Sequence, residues 1–282
     1  MPDKMKTPIL YKIAKPILGP IYKFWYNPKI IGKENIPKEK SIIIVGNHIH
    51  IMDQCNIIIS TKRCIHYMAK KEYFDKKYKE GKFSWFFKQT GCIPVDRSKK
   101  DEQETISAIE VLKSKEALGL FPEGTRNALK EDKIRKLYED YYKDKEKYKA
   151  FYKKIKKNKR SIIEYLEELK GKKVITKEEF TSNLYDTEKF IKDLIKEKRI
   201  QEEDYYNNIL LPLKFGAVSL AKKTGSYIIP YAITGEYKFR SKNLTIRIGK
   251  PFEVTDNLEE SNRHLKEELI SLIKENEIFS EK

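Results

Sequence analysis

Three cysteines in 282 residues, Cys55, Cys64 and Cys92, show no Cys-x-x-Cys spacing. So few and so scattered, they give no disulfide framework and read as reduced thiols serving as small buried apolar residues. Nothing beside any of them in the sequence would activate a nucleophile. Long apolar runs are missing too: none approaches the ~20 residues needed to span a bilayer, so a spanning protein is not expected. A signal peptide is not expected either, because Lys12, Lys15 and Lys23 interrupt what would be its apolar core. The basic residues form no helix-turn-helix, zinc-finger or RNA-binding signature, which argues against nucleic acid.

Positive charge is plentiful. Lys and Arg number 59 against 42 Asp and Glu, a net +17, with most of the excess in residues 1–40 and between Lys62 and Lys100. Anionic lipid headgroups and acidic proteins are attracted to such a surface as readily as nucleic acid. The apolar fraction of 39% and charged fraction of 36% describe a chain with a large wetted surface. Its length suits one α/β domain plus an elaboration.

Residues 9–26 are apolar and aromatic except for a narrow stripe of Lys12, Lys15, Gly19 and Lys23 at helical spacing. Pro16 and Pro20 predict two short helical pieces in place of one. A wide apolar face edged by lysines, with Trp25 and tyrosines, suits the headgroup boundary of a membrane, and equally a helix packed on its own domain. Residues 1–30 are therefore read as an amphipathic membrane-contacting segment. A turn-rich connector from Gly32 to Lys40 precedes the main pattern.

Strands are predicted at Ile42–Val45, Cys64–Ala69, Cys92–Val95, Ala117–Phe121, Tyr227–Thr234 and Leu244–Ile248. Helices are predicted between them, including Glu102–Lys115 and Phe215–Lys223, with a last one at Leu258–Ile278 turning Leu265, Leu269, Leu272 and Ile273 inward. Short apolar runs alternating with amphipathic helices imply an α/β fold: a largely parallel sheet covered by helices. Residues 128–208 break the rhythm. They are rich in Lys, Glu, Asp and Tyr, hold no convincing strand, and carry the capping box Thr176-x-x-Glu179 and a stripe of Ile191, Leu194 and Ile195. They read as a helical insertion in a domain spanning 31–282, either a solvated appendage or lid, or a docking surface for a membrane or acyl carrier.

Three polar blocks follow predicted strands: Asn47-His48-x4-Asp53, Ile93-Pro94-Val95-Asp96-Arg97 and Phe121-Pro122-Glu123-Gly124-Thr125-Arg126. Open α/β sheets place their ligands at the strand ends that these blocks occupy. If the chain turns after His48, Asp53 returns to the imidazole, fixes its tautomer and stabilises the imidazolium. No Ser or Cys sits near as a nucleophile, so direct activation of a substrate hydroxyl fits better than a covalent intermediate. A rival is a metal site from His48, His50 and Asp53; against it, Asp53 is one residue late for an H-x-H-x-D-H pattern and Gln54 stands where the last His belongs. The guanidinium forks of Arg97 and Arg126 suit phosphate, Gly124 permits close backbone approach, and Glu123 can bond a hydroxyl or hold an arginine.

In this order, with Ile228-Ile229-Pro230-Tyr231-Ala232 as a fourth, the blocks resemble those of the glycerolipid acyltransferase superfamily, and most of all its bacterial 1-acyl-glycerol-3-phosphate acyltransferases. The resemblance covers roughly residues 30–127 and 209–255, with Ala69-Lys70-Lys71-Glu72 and Lys214-Phe215-Gly216-Ala217 also similar to family segments. It implies His48 as general base oriented by Asp53. Arg97, Glu123, Gly124 and Arg126, helped by Lys70, would bind the glycerol phosphate, and Pro230 would line the acyl side. The implied reaction needs no metal or cofactor, with acyl-carrier or coenzyme A thioester as co-substrate, at the cytoplasmic face of an anionic membrane. Two departures stand out: the family commonly has Ser where His50 stands, and only a short connector where residues 128–208 intervene. The second leaves other acceptors open, among them glycerol 3-phosphate and other lysophospholipids. A non-catalytic basic protein that binds nucleic acid or acyl carrier is the reading from another class.

Overall fold

The computed structural model describes residues 8–75, 84–96, 102–127, 161–184 and 186–280. The chain divides into two compact units: Met1–Pro122 with Lys214–Lys282, and Glu123–Leu213.

The first unit is a seven-stranded sheet: β1 (Lys29–Ile31), β2 (Ile42–Gly46), β3 (Ile65–Lys70), β4 (Ile93–Val95), β5 (Ala117–Leu120), β6 (Tyr227–Thr234) and β7 (Thr245–Ile248). Their order is β1-β7-β6-β2-β5-β3-β4, parallel throughout except for β6 against β7. This is the largely parallel α/β fold that the alternating pattern predicted. One sheet face buries Ile42, Ile44, Ile65, Tyr67, Ile229, Tyr231 and Ile246 in a single cluster with Ile57 of α2 (Asp53–Ile58). The chain adds α3 (Ser84–Gln89) between β3 and β4 and α4 (Glu102–Lys113) between β4 and β5, and against the opposite face pack α9 (Gly216–Thr224) and α10 (Leu258–Ser280). Leu265, Leu269, Leu272 and Ile273 of α10 are all buried. With both faces covered, β2 alternates no polar residues; all five of its positions are buried.

Strand β1 was not predicted. Lys29-Ile30-Ile31 is too short to show a period, and its partner in register, Thr245–Arg247, lies far along the chain. The N-terminal segment also departs from expectation: α1 (Ile9–Tyr26) is one continuous helix with Pro16 and Pro20 inside it. Both prolines are on its exposed side, and anchors on the other side hold both halves. Tyr11 Oη donates to Arg63 O (3.1 Å) and accepts the Ile65 N–H (3.2 Å), Lys15 Nζ donates to Thr61 O and Arg63 O, and Tyr22 Oη donates to Asn56 Oδ1 (2.9 Å). At about 1 kcal/mol each, these bonds offset much of what two missing helix hydrogen bonds cost.

The anchored face of α1 carries Tyr11, Lys15, Gly19 and Tyr22, while Lys12 and Lys23 of the lysine stripe are exposed. The apolar residues of α1 point outward: Ile9, Ile13, Ile17, Leu18, Ile21, Phe24 and Trp25 are each more than half exposed. No helix among the described residues is long and apolar enough to cross a membrane.

The second unit holds α5 (Ser161–Gly171), α6 (Lys177–Ser182), α7 (Thr187–Lys196) and α8 (Glu202–Asn208), and among its described residues there is no strand. Leu166, Phe180, Ile191 and Leu194 form its interior. The Thr176–Glu179 capping box is present, and Arg199 holds the same Glu179 through two bonds of 2.7 and 2.9 Å. Side chains clip the two chain ends together: Asn127 Nδ2 and Ser161 Oγ both donate to Ile209 O (2.9 and 2.8 Å).

Candidate active site

Register brings the carboxyl ends of β2 and β5 level, since Val45 pairs with Leu120, while β6 continues to Thr234 beyond Tyr231, the partner of Gly46. Past Gly46, Asn47 ends the ladder with its side chain. Its Nδ2 donates to Ile233 O (2.9 Å) and its Oδ1 accepts the Ile233 N–H (2.7 Å). The backbone of β2 can then leave the sheet while the polar groups of β6 stay paired.

His48 is the next residue. The turn into α2 brings Asp53 back to it, with Oδ2 2.8 Å from His48 Nδ1. Asp53 is fully buried, and its Oδ2 also accepts the N–H groups of Ile49 (2.7 Å) and His50 (2.8 Å). Oδ1 accepts the Tyr237 hydroxyl at 2.6 Å. With both carboxylate oxygens accepting, the shared proton sits on Nδ1, and Nε2 carries the lone pair that can take a proton. Phe121, the first residue after β5, lies flat on the imidazole, ring centroids 3.9 Å apart and planes 13° apart. Phe121 in turn stacks on Tyr67. The side chain of His48 keeps 18% of its surface exposed. The result is a rigidly held imidazole with a carboxylate behind one nitrogen.

His50 does not join His48 and Asp53 around a common point. Its Nδ1 accepts the Met52 N–H (3.3 Å) and its ring stacks on Tyr237 (4.2 Å), while His48 and Asp53 face each other. Among the described residues, no three His, Cys, Asp or Glu side chains form a group able to hold a metal ion. Burial, with the Asp53 charge added, pushes the Cys55 thiol up to about 12, so it is a poor source of thiolate despite lying two residues from Asp53. His66 is buried against Gly91 O (2.8 Å), and exposed His264 meets Phe252 edge-on.

The other predicted residues fall in several places. Lys70 is exposed at the end of β3. Arg97 lies outside the described residues; Asp96, just before it, is 3.5 Å from Lys71 Nζ. Glu123, Gly124 and Arg126 open the second unit. Glu123 is buried and its Oε2 accepts the Leu211 N–H (2.9 Å), Gly124 has φ +69, and Arg126 is exposed. Pro230 is buried in β6; a Cβ on Gly249 would come within 2.9 Å of its ring and 3.1 Å of Leu272, so it packs on the α10 side of the sheet.

Residue patterning had pointed to His48 and Asp53 but not to what surrounds them. Asn47 and Phe121 belong to recognised blocks without any role read for them. Tyr237 lies 184 residues from Asp53 and carries no local signal.

Comparison with known proteins agrees with this architecture. The family model described as Acyltransferase matches residues 27–234. A 1-acyl-sn-glycerol-3-phosphate acyltransferase of Bacillus subtilis is 32% identical over 120 residues, 42% of this chain and 58% of the relative. One from Borreliella burgdorferi is 35% identical over 101 residues, 35% of this chain and 38% of the relative. The matches thus span less than two thirds of either curated relative. Among solved structures, the 1-acyl-sn-glycerophosphate acyltransferase PlsC of Thermotoga maritima shares the fold, with a TM-score of 0.51 over 94% of this chain and 81% of its own, at 19% identity. The family model covers well over half of the sequence, and the chain belongs to the acyltransferase family.

Proposed function

We propose that this protein transfers an acyl chain from an acyl thioester to the free hydroxyl of 1-acyl-glycerol-3-phosphate, giving phosphatidate and a free thiol. The observation that carries the reading is the 2.8 Å His48–Asp53 pair at the end of β2, in a chain of this family whose curated relatives bear that name. His48 Nε2 takes the hydroxyl proton as the oxygen attacks the thioester carbon. Asp53 stabilises the imidazolium that forms. Collapse of the tetrahedral intermediate breaks the carbon–sulfur bond, and the departing sulfur takes the proton from His48. No acyl-enzyme is needed. Arg97 and Arg126 neutralise the phosphate with help from Lys70. Gly124 brings backbone close to the ligand, Glu123 braces the loop by holding the Leu211 N–H, and Pro230 lines the acyl side.

The exposed apolar face of α1 supports a peripheral seat on a membrane, and we assign that seat to the cytoplasmic face. The net charge of +17 favours anionic lipid and an acidic acyl carrier or coenzyme A thioester. Because the helical unit starts inside the Phe121–Arg126 block, a second reading keeps the chemistry and changes the acceptor to glycerol 3-phosphate or another lysophospholipid.

The test is acyl transfer by purified protein to a panel of these acceptors, with acyl-coenzyme A and acyl-carrier thioesters as donors. His48→Ala is expected to lower turnover by roughly a hundredfold or more. Full activity in that variant would reject the mechanism, and loss of activity with a chelator would revive a metal site. Retention on anionic vesicles but not on DNA separates the enzyme from a nucleic-acid-binding protein.

A further inference from the structure

A chain of side-chain hydrogen bonds runs from α1 to the acid behind His48. Tyr22 Oη donates to Asn56 Oδ1 (2.9 Å), Asn56 Nδ2 donates to Tyr237 Oη (2.6 Å), and Tyr237 Oη donates to Asp53 Oδ1 (2.6 Å). All the protons in this chain run one way, toward the carboxylate. Asn56 and Asp53 are fully buried, and Tyr22 nearly so. In the low-dielectric interior, a hydroxyl donated to a carboxylate is among the stronger hydrogen bonds a protein makes.

Tyr237 has no freedom to point elsewhere. Its ring is sandwiched between His50 (4.2 Å, stacked) and Tyr26 of α1 (5.5 Å, edge-on). The β6–β7 loop that carries it is fastened to the end of the same helix. Arg240 N donates to Trp25 O (2.6 Å), Asn27 Nδ2 donates to Ser241 O (3.2 Å), and Phe239 packs edge-on against Phe24 and Trp25. The helix whose outer face is apolar therefore holds Tyr237 twice, through Tyr22 and Asn56 and through the loop.

Resting on the acyl-transfer reading above, we infer that Tyr237 is a positioning residue. It fixes Asp53, and through it the His48 imidazole, and it ties the reaction to the seating of α1 against the rest of the fold. Asp53 has two oxygens and two tasks. Oδ2 faces His48 and the turn, and without a donor on Oδ1 the carboxylate could rotate about its last torsion and lose its aim. The Tyr237 hydroxyl removes that freedom and also spreads the negative charge. A shift of α1 on a lipid surface would move Tyr22 and the loop together, so membrane seating and catalytic geometry are mechanically joined.

Tyr237→Phe tests this role, because the ring keeps its stacking while Asp53 Oδ1 loses its donor and Asn56 Nδ2 its acceptor. Removing a donor makes the carboxylate more basic, and a more basic Asp53 holds the imidazolium proton more tightly. The neutral, working imidazole is then reached only at higher pH. The groups facing Asp53 are His48 and His50 from its own turn, Cys55 of α2, Tyr22 of α1, Tyr67 of β3, Tyr231 of β6 and Tyr237. Burial pushes the thiol and all four phenols upward. The histidines are the members of this set that ordinarily change charge near neutrality.

The experiment compares kcat, KM and the pH profile of full-length wild type, Tyr237→Phe, Tyr22→Phe and His48→Ala on lysophosphatidate. Expected for Tyr237→Phe are a kcat roughly tenfold lower, KM within about twofold, and an acidic limb moved to higher pH. Tyr22→Phe should move both in the same direction by less. A merely structural role for the hydroxyl would lower the yield or melting temperature and leave the limb in place, which overturns the inference. So does a wild-type kcat and limb in Tyr237→Phe while His48→Ala is inactive. An active His48→Ala instead removes the general-base reading on which the inference stands. If Tyr237→Phe does not fold, Tyr22→Phe decides the matter by the same shift or its absence.

Discussion

Asp53→Asn separates the two duties that Asp53 performs. Its Oδ2 accepts two backbone N–H groups and so holds the turn between β2 and α2, and the same oxygen faces His48 Nδ1. An asparagine can keep its amide oxygen in that place and accept all three donors. Its amide nitrogen then meets the Tyr237 hydroxyl, which already accepts Asn56 Nδ2 and now loses its acceptor. That is one imperfect buried bond, costing about 1–2 kcal/mol, so the variant should fold. What disappears is the charge behind the imidazolium. Turnover should fall by roughly a hundredfold to ten-thousandfold, the range that positioned acid–base groups supply. Asp53→Ala loses the turn contacts as well and should be destabilised by a further 1–3 kcal/mol, roughly. Urea unfolding by circular dichroism and phosphatidate formation on the same preparations provide both readouts. Because Asp53 acts through His48, the double variant His48→Ala/Asp53→Asn should be no slower than His48→Ala. An Asp53→Asn enzyme with wild-type turnover, or a double variant far slower than either single one, would refute the pairing.

On α1, Ile17 and Ile21 are 58% and 57% exposed and one helical turn apart. Changing both to Ser should leave folding stability nearly unaltered, yet weaken binding to phosphatidylglycerol vesicles about thirtyfold, from roughly 1 kcal/mol of lost burial at each site. Vesicle sedimentation measures this, and unchanged binding would move the membrane face elsewhere. At Gly46 a Cβ would lie 2.3 Å from the fully buried Tyr231 ring, so Gly46→Ala should destabilise by about 1–3 kcal/mol. Most of that cost should vanish in a Tyr231→Leu background, and equal cost in both backgrounds would disprove the clash. In the helical unit, Arg199 and then the Thr176 N–H hold Glu179 down from its ordinary 4.5 to about 2. The resulting stabilisation is present above about 4.5 and fades as pH falls toward 2. Arg199→Met should remove most of that acid dependence, the Thr176 N–H keeping the rest, at a cost near neutrality of about 0.5 kcal/mol for a pair about one-third exposed. Acid titration of the α-helical signal distinguishes the two proteins.

What could be read in the sequence tracks the distance over which each interaction acts. The strands of the sheet interior were legible because burial on both faces leaves unbroken runs such as Ile42-Ile43-Ile44-Val45, and the capping box because its two partners are three residues apart. His48 and Asp53 were legible for the same reason: one turn of chain brings them together. α1 was misjudged where local propensity gave way to tertiary anchoring. Two prolines forecast a break, and Tyr11, Lys15 and Tyr22 hold the helix together by bonds that no local rule contains. β1 was missed because three residues have no period and gain their pairing only from β7.

The site shows the same division more sharply. Its inner shell, the imidazole and its acid, is local in sequence, whereas the residues that hold that shell still come from remote segments. Phe121 leaves a neighbouring strand, Asn47 reaches 186 residues ahead to Ile233, and Tyr237 returns across 184 residues to Asp53. A carboxylate aimed from one side only would cap the turn equally well, and nothing in the spacing of His48 and Asp53 requires a second donor. The donor on Oδ1 comes from a loop whose own position depends on α1. The pair visible in the sequence supplies the chemistry, and the parallel sheet and the N-terminal helix supply its aim. Substitutions outside the His48–Asp53 pair, at Tyr22 of α1 or at Asn56 of α2, should therefore tell on turnover before they tell on substrate affinity.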